Sequence, residues 1–132
     1  MWIMLAGPYA SGGADAATRA ARLAALNDAA LAVFRHGHVP VIGVNMALSV
    51  IAAAGDMRDA FDEVMMPLSL ALAERCDACL RIGGTSPGAD REMERFRRAG
   101  KPVFHALDEV PAAGREGGAE ALCSEAPREP EC

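Results

Sequence analysis

Apolar positions in this chain alternate between short continuous runs and longer stretches with helical spacing. Trp2 to Ala6 is a five-residue apolar run stopped by Gly7-Pro8, the pattern of a buried strand entering a turn. Gly7 to Gly13 reads as a loop, and Asp15 as the N-cap of a helix from Ala16 to His36. Leu23, Leu26, Ala30, Val33 and Phe34 form its expected inward stripe, and Gly37 closes it. Val39 to Ile42 is a second strand, with Pro40 suited to an edge or a strand end. Asn45 to Ala54 fits a short helix ended by Gly55-Asp56. Met57 to Arg75 is helical, with a kink or break expected at Pro67. Ala78 to Ile82 is a third strand, Pro87 to Ala99 a helix, Val103 to His105 a fourth strand, and Ala106 to Pro111 a final turn.

This alternation predicts an α/β fold: a small Rossmann-like (flavodoxin-like) parallel sheet of four to five strands flanked by helices. Residues 1–111 form the expected domain. Residues 112–132, rich in Gly, Glu, Ala, Pro and Arg, read as a mobile tail with no catalytic role. Ligands of such sheets sit beyond the carboxyl ends of the strands, near a topological switch point. The Gly-rich loops after the first and third strands should therefore face one crevice.

The second of those loops leads into the most informative pattern of the chain. Gly83-Gly84-Thr85-Ser86-Pro87-Gly88 precedes a helix, so backbone N–H groups at a helix start are available to an anion such as a phosphate. On a wheel of about 100° per residue, Ala89, Met93, Phe96 and Ala99 share one face, while Asp90, Arg91, Glu94, Arg95 and Arg97 fall outside it. Glu92 lies within the apolar stripe. Either it snorkels to the helix edge and pairs with Arg91 or Arg95, or it is a working carboxylate; its position favours the second. Burial against Met93 and Phe96 should raise its pKa and the helix N-terminus should lower it, leaving a poorly solvated anion.

At 132 residues and 52% hydrophobic content the chain suits one packed domain. A net charge of −5 argues against a nucleic-acid polymer as partner. Apolar runs end well short of the ~18–20 residues of a membrane helix, and Met1 to Ala6 lacks a signal-peptide pattern, so a cytoplasmic protein with no membrane contact is expected. The four cysteines then read as reduced thiols. Cys76 and Cys79 have CxxC spacing, yet Cys79 opens a buried strand, which favours core packing over a metal. No metal or cofactor is expected. His36 and His38 flank Gly37 as helix-end residues, and His105 reads as a packing residue. Met46, Met57, Met65 and Met66 suit core or subunit contacts.

The chain resembles the nucleoside 2-deoxyribosyltransferase-like superfamily, including its small relatives that hydrolyse the N-glycosidic bond of nucleoside 5′-monophosphates. The resemblance covers roughly residues 1–111. It rests on Gly7-Pro8-Tyr9, Gly37-His38-Val39-Pro40, Cys76-Asp77, Ser86-x-Gly88-x-x-x-Glu92 and Gly100-Lys101-Pro102. It implies that Glu92 is the nucleophile, or the carboxylate that stabilises a sugar cation. It also implies that Ser86 and Gly88 hold a 5′-phosphate, and that Gly7, Tyr9 and Ser11 border a small-molecule nucleoside or nucleotide. A homodimer or higher homo-oligomer is implied as well. Two positions depart from the pattern: Ala10 stands where the hydrolases carry arginine, and Ser69 where an aspartate usually positions the sugar. Ser69 is thus the second candidate catalytic residue, with Asp62 or Glu63 as substitutes on the same helix. A phosphoribohydrolase of the lysine-decarboxylase-like type shares a superficially similar Gly-Gly turn, but Gly83-Gly84-Thr85 lacks its continuation. A non-catalytic nucleotide-binding module and a structural partner protein are the other readings.

Overall fold

The structure, a computed structural model, describes residues 1–113 except Asp56 and the side chains of Met57 and Arg58. Nineteen of the tail's residues, 114–132, lie outside the described part. Four strands, β1 (Trp2–Ala6), β2 (Val39–Val41), β3 (Ala78–Arg81) and β4 (Val103–Phe104), alternate with helices α1 (Ala16–Arg35), α2 (Gly43–Ala53), α3 (Met57–Arg75) and α4 (Pro87–Arg98). A 3₁₀ turn, Leu107–Glu109, follows β4. The sheet is wholly parallel in the order β2-β1-β3-β4, the Rossmann-like α/β architecture expected of the alternation.

Strand periodicity divides the core. Ile3 and Leu5 point to one face of the sheet, where α1 covers them with Leu26 and Val33. Met4 and Ala6 point to the other, against Ala73 and Cys76 of α3 and its end, and Ala89 and Phe96 of α4. Full burial of Phe96 contributes roughly 1.5–3 kcal/mol to holding α4 on the sheet. A third cluster, Ala47, Ile51 and Ala60 with Phe61, Val64, Met65 and Leu68, joins α2 to α3.

The crevice follows from connectivity. From β1 the chain crosses to β2 on one side, and β3 adds on the other, so β1 and β3 adjoin at the switch point. Their register pairs Ala6 with Arg81, and Ile82 N–H extends the ladder to Ala6 O at 2.8 Å. Gly7 and Gly83 therefore leave the sheet side by side. Gly83 has φ +75° and lies so close to Pro8 that a Cβ there would stand 2.8 Å from Pro8 Cδ. The two glycine turns touch.

Several local expectations change. Phe34 is 60% exposed, because Leu26 and Val33 with Leu23, Ala29 and Ala30 already fill the contact between α1 and the sheet. Helix α3 runs unbroken through Pro67. Pro67 and Glu63 both face solvent, so the carbonyl that Pro67 cannot serve is reachable by water. His105 is exposed rather than packed. His38 closes α1 through its backbone, its N–H donating to Val33 O at 3.3 Å, while its ring accepts from the Met1 ammonium at 2.9 Å and bonds Pro111 O through its other nitrogen. His36 does bond Ala32 O, as a helix-end residue should.

Two of the motifs behind the resemblance turn out to brace the sheet. Asp77 accepts from Trp2 N–H at 2.8 Å through its carboxylate, and its own N–H donates to Trp2 O at 2.8 Å. Lys101 donates to Glu74 O at 2.9 Å and Cys76 O at 2.7 Å, satisfying carbonyls at the end of α3. No described helix is long and apolar enough to cross a membrane.

Close packing between α2 and α3 supplies a test. A Cβ on Gly43 would lie 2.8 Å from Ser69 Cβ and collide with its hydroxyl. Gly43→Ala should cost about 1–3 kcal/mol of stability, measured by urea unfolding. An unchanged midpoint would show that α2 and α3 are not in this contact.

Candidate active site

A cavity of about 400 Å³ opens at the carboxyl ends of β1 and β3. The loop after β1 contributes Gly7, Tyr9, Ala10, Ser11 and Gly12. The start of α4 contributes Ser86, Pro87, Gly88, Ala89 and Glu92, while Phe61, Met65, Met66 and Ser69 come from α3 and Val44 from α2. All seven candidate residues of the sequence, Glu92, Ser69, Gly7, Tyr9, Ser11, Ser86 and Gly88, thus line one cavity. A larger groove of about 680 Å³ lies beside β2, but no carboxylate or histidine lines it. The chemistry belongs to the smaller cavity.

Glu92 owes its place to the local fold of α4. Ser86 is the N-cap, accepting from Ala89 N–H at 3.2 Å, and Pro87 stands at the first helical position. That start puts Ala89, Glu92 and Phe96 on the buried face. Glu92 is 8% exposed and pairs with neither Arg91 nor Arg95; Arg95 bonds Glu74 at 2.8 Å. Burial pushes its pKa from 4.5 to about 7. Opposing this are a hydrogen bond from the Ser69 hydroxyl and the positive charge of Arg81. Desolvation outweighs both. Where an ionised, poorly solvated anion is expected from the sequence, desolvation instead brings the carboxyl to about 7, and Ser69, more than the helix start, moderates the shift.

Three arginines that the sequence reading passed over shape this cavity. Arg81, at the end of β3, donates to Ile82 O and, at 2.8 Å, to Gly84 O. It also approaches Asp90 at 3.4 Å. It so fixes the glycine turn and sets its charge near Glu92. Arg22 holds the first loop through Tyr9 O at 3.1 Å and Ser11 O at 2.8 Å. The Arg19 guanidinium stands 6.0 Å from the Tyr9 ring and 5.9 Å from Phe61, at the limit of cation–π range. A cation at the end of a strand beside a Gly-Gly turn was a readable signal for Arg81. Arg19 and Arg22 depend on α1 packing beside the loop, which no local pattern reports.

One polar atom is conspicuous. Ser11 Oγ is buried and has no hydrogen-bond partner, the single such side-chain atom among the described residues. Orphaned buried hydroxyls are rare in folded proteins, and one that lines a cavity is suited to a ligand or a water.

Other candidates fall away from the site. Asp62 and Glu63 face solvent on α3 and do not line the cavity. Met65 and Met66 line it, whereas Met46 is exposed on α2; the Met57 side chain is outside the described residues. Cys76 and Cys79 are buried free thiols. Burial, reinforced by the Glu92 charge, pushes Cys79 up to about 12, so it is inert as a nucleophile at neutral pH. Cys123 and Cys132 lie outside the described part. Among the described residues no group of His, Cys, Asp and Glu could hold a metal ion.

The raised pKa of Glu92 has a consequence for stability. The folded chain keeps a proton that the unfolded chain releases near pH 4.5. The stabilisation from that bound proton is fully present below pH 4.5 and is lost as pH rises through about 7. Relative to Glu92→Gln, the unmodified chain should lose about 3 kcal/mol between pH 4 and pH 8, at about 1.4 kcal/mol per pKa unit. Parallel urea titrations of both proteins check this. Equal pH dependence would mean that the carboxyl is solvated.

No curated protein matches the chain. A family model described as "Domain of unknown function (DUF1937)" matches residues 1–107. That span takes in all four strands, all four helices and every residue lining the cavity, and the chain belongs to this family.

Proposed function

We propose that the protein is an N-glycosidase or deoxyribosyltransferase that cleaves the N-glycosidic bond of a nucleoside or nucleoside 5′-monophosphate. The observation that carries this reading is the Glu92 carboxyl, buried and lining a cavity of about 400 Å³ together with Ser69. Such a volume suits one small ligand. Phe61, Met65, Met66 and Val44 offer an apolar wall for a planar base, and the Ser11 and Tyr9 hydroxyls offer partners for a sugar. Ser86 and Gly88 at the start of α4 suit a 5′-phosphate. Free buried thiols at Cys76 and Cys79 fit a reducing, cytoplasmic setting.

In the ionised form, Glu92 attacks the anomeric carbon, or stabilises the cation developing there, as the carbon–nitrogen bond breaks. The bonding pair leaves with the base, which takes up a proton. Water then attacks the anomeric carbon to complete hydrolysis, and a second base in its place completes transfer. Ser69 holds the carboxylate in position, and the apolar wall keeps it poorly solvated and reactive.

The test is a chromatographic assay for free base over a panel of nucleosides and 5′-monophosphates. Release is expected, with Glu92→Gln lowering it by a factor on the order of 10³. Because the ionised form is required, kcat/KM should rise about tenfold per pH unit below 7 and level off above it. No release from any member of the panel, with Glu92→Gln leaving ligand-induced stabilisation unchanged, would end the reading. A second reading, a non-catalytic nucleotide-binding module, is favoured by Ala10 and Ser69 at the two positions where the resemblance leads one to expect arginine and aspartate. Thermal stabilisation by nucleotides without release selects it.

A further inference from the structure

One guanidinium beside the cavity is fixed in place but has donors to spare. Arg22 donates from a terminal nitrogen to Tyr9 O and Ser11 O, and Arg81 from its two to Ile82 O and Gly84 O. Arg19 donates only through Nε, to Ala14 O at 3.1 Å. Among the described residues its two terminal nitrogens have no hydrogen-bond partner, and it joins no ion pair. The group is held all the same. Arg19 is half-buried, and its guanidinium carbon stands 6.0 Å from the centre of the Tyr9 ring and 5.9 Å from that of Phe61. Both rings line the cavity of about 400 Å³. Helix α1 gains nothing from a cation there, because Arg19 lies in its opening turn, at the positive end of the helix dipole. A planar fork of unpaired donors is suited to a ligand with two adjacent acceptors.

We propose that Arg19 selects the base of the substrate, and that this base is a 6-oxopurine, guanine or hypoxanthine. The inference rests on the proposed N-glycosidic chemistry, in which Phe61 belongs to the wall that receives the base. A purine lying on that wall can turn its outer edge to the guanidinium beside Phe61. On a 6-oxopurine that edge carries O6 and N7, adjacent acceptors that an arginine fork takes with two parallel hydrogen bonds. Adenine puts a donor, its 6-amino group, in place of O6, and uracil and thymine offer a single acceptor there. The scale agrees. Phe61 and Ser69, which lines the cavity with Glu92, are separated by about 12 Å of helical rise on α3. That leaves room for a sugar over the carboxyl and a purine reaching toward Arg19. A phosphate is a poorer partner for this guanidinium. Its place in the proposed chemistry is the start of α4, where the Met66 methyl group lies against Gly88. Phe61 is about 7.5 Å from Met66 along α3.

The experiment measures recognition apart from turnover. Guanosine, inosine, adenosine, cytidine and 7-deazaguanosine, with the 5′-monophosphates of the first four, are titrated calorimetrically into the full chain carrying Glu92→Gln. Guanosine and inosine should bind about 10–100-fold more tightly than adenosine, and 7-deazaguanosine, which lacks N7, about tenfold more weakly than guanosine. Adding Arg19→Gln or Arg19→Lys should bring the guanosine-to-adenosine ratio to within about threefold of one, since lysine keeps the charge and loses the fork. Far-UV circular dichroism should stay unchanged, and the ratio itself is insensitive to a general loss of folded protein. With Glu92 restored, the same preference should appear in kcat/KM for base release. Absence of nucleoside binding, equal affinity for the bases, a preference for adenosine or cytidine, or a ratio that survives both Arg19 substitutions overturns the proposal. So does a loss confined to the monophosphates and equal for every base, which would assign Arg19 to the phosphate. An oxopurine preference that depends on Arg19, with no base released by the unsubstituted chain, would uphold the recognition and end the N-glycosidase reading instead.

Discussion

Parallel pairing of β1 with β3 is the constraint on which the rest depends. Their ladder brings Ala6 beside Arg81 and releases Gly7 and Gly83 at the same level. One loop can then be braced by Arg22 and the other by Arg81, with Pro8 against Gly83 between them. Helix α4 starts where the second loop ends, and its capped first turn fixes which residues face inward. Glu92 reaches the cavity because of that phase. A start one residue later would turn the carboxyl about 100° toward solvent.

Desolvation of that carboxyl is the energetic cost of the arrangement. Placing Glu92 among Ala89, Phe96 and the apolar cavity wall raises its pKa by more than the Ser69 hydroxyl and the Arg81 charge offset. A fold selected for stability alone would place leucine or methionine there, as it does at Met65 and Met66. Titratable groups held at about neutral pKa in a cleft are commoner at working sites than elsewhere. The same burial makes Cys79 inert, since a thiolate beneath the sheet and next to Glu92 would be a second uncompensated anion.

The fold was largely legible because its strands and helices differ in period. The α/β alternation, the cap residue Asp15 and the inward turn of Glu92 all follow from local spacing. Ser69 was different: nothing in the pattern of α3 singles it out, and only the resemblance drew attention to it. Phe34 was misread because one wheel position cannot tell a helix face covered by the sheet from one beside its edge. Helix α3 is not split at Pro67 because the cost of a helix-interior proline falls when the stranded carbonyl faces water. Arg19 and Arg22 were invisible for a third reason. Each acts on a loop or ring brought near it by folding, and sequence period carries no information about such meetings.

Helix α2 borders both the cavity and the groove beside β2, and its geometry explains why they are distinct. Val44 faces the cavity, while Asn45 and Met46, the next residues, face the groove beside β2. Consecutive helical residues diverge by about 100°, so one short helix can wall a ligand site and present an apolar surface at once. It holds that place because Gly43 lets it approach Ser69 more closely than any residue with a Cβ would allow. Ser69 in turn bonds Glu92. A change in α2 is therefore two contacts away from the carboxyl, through Gly43 packing and the Ser69 hydroxyl.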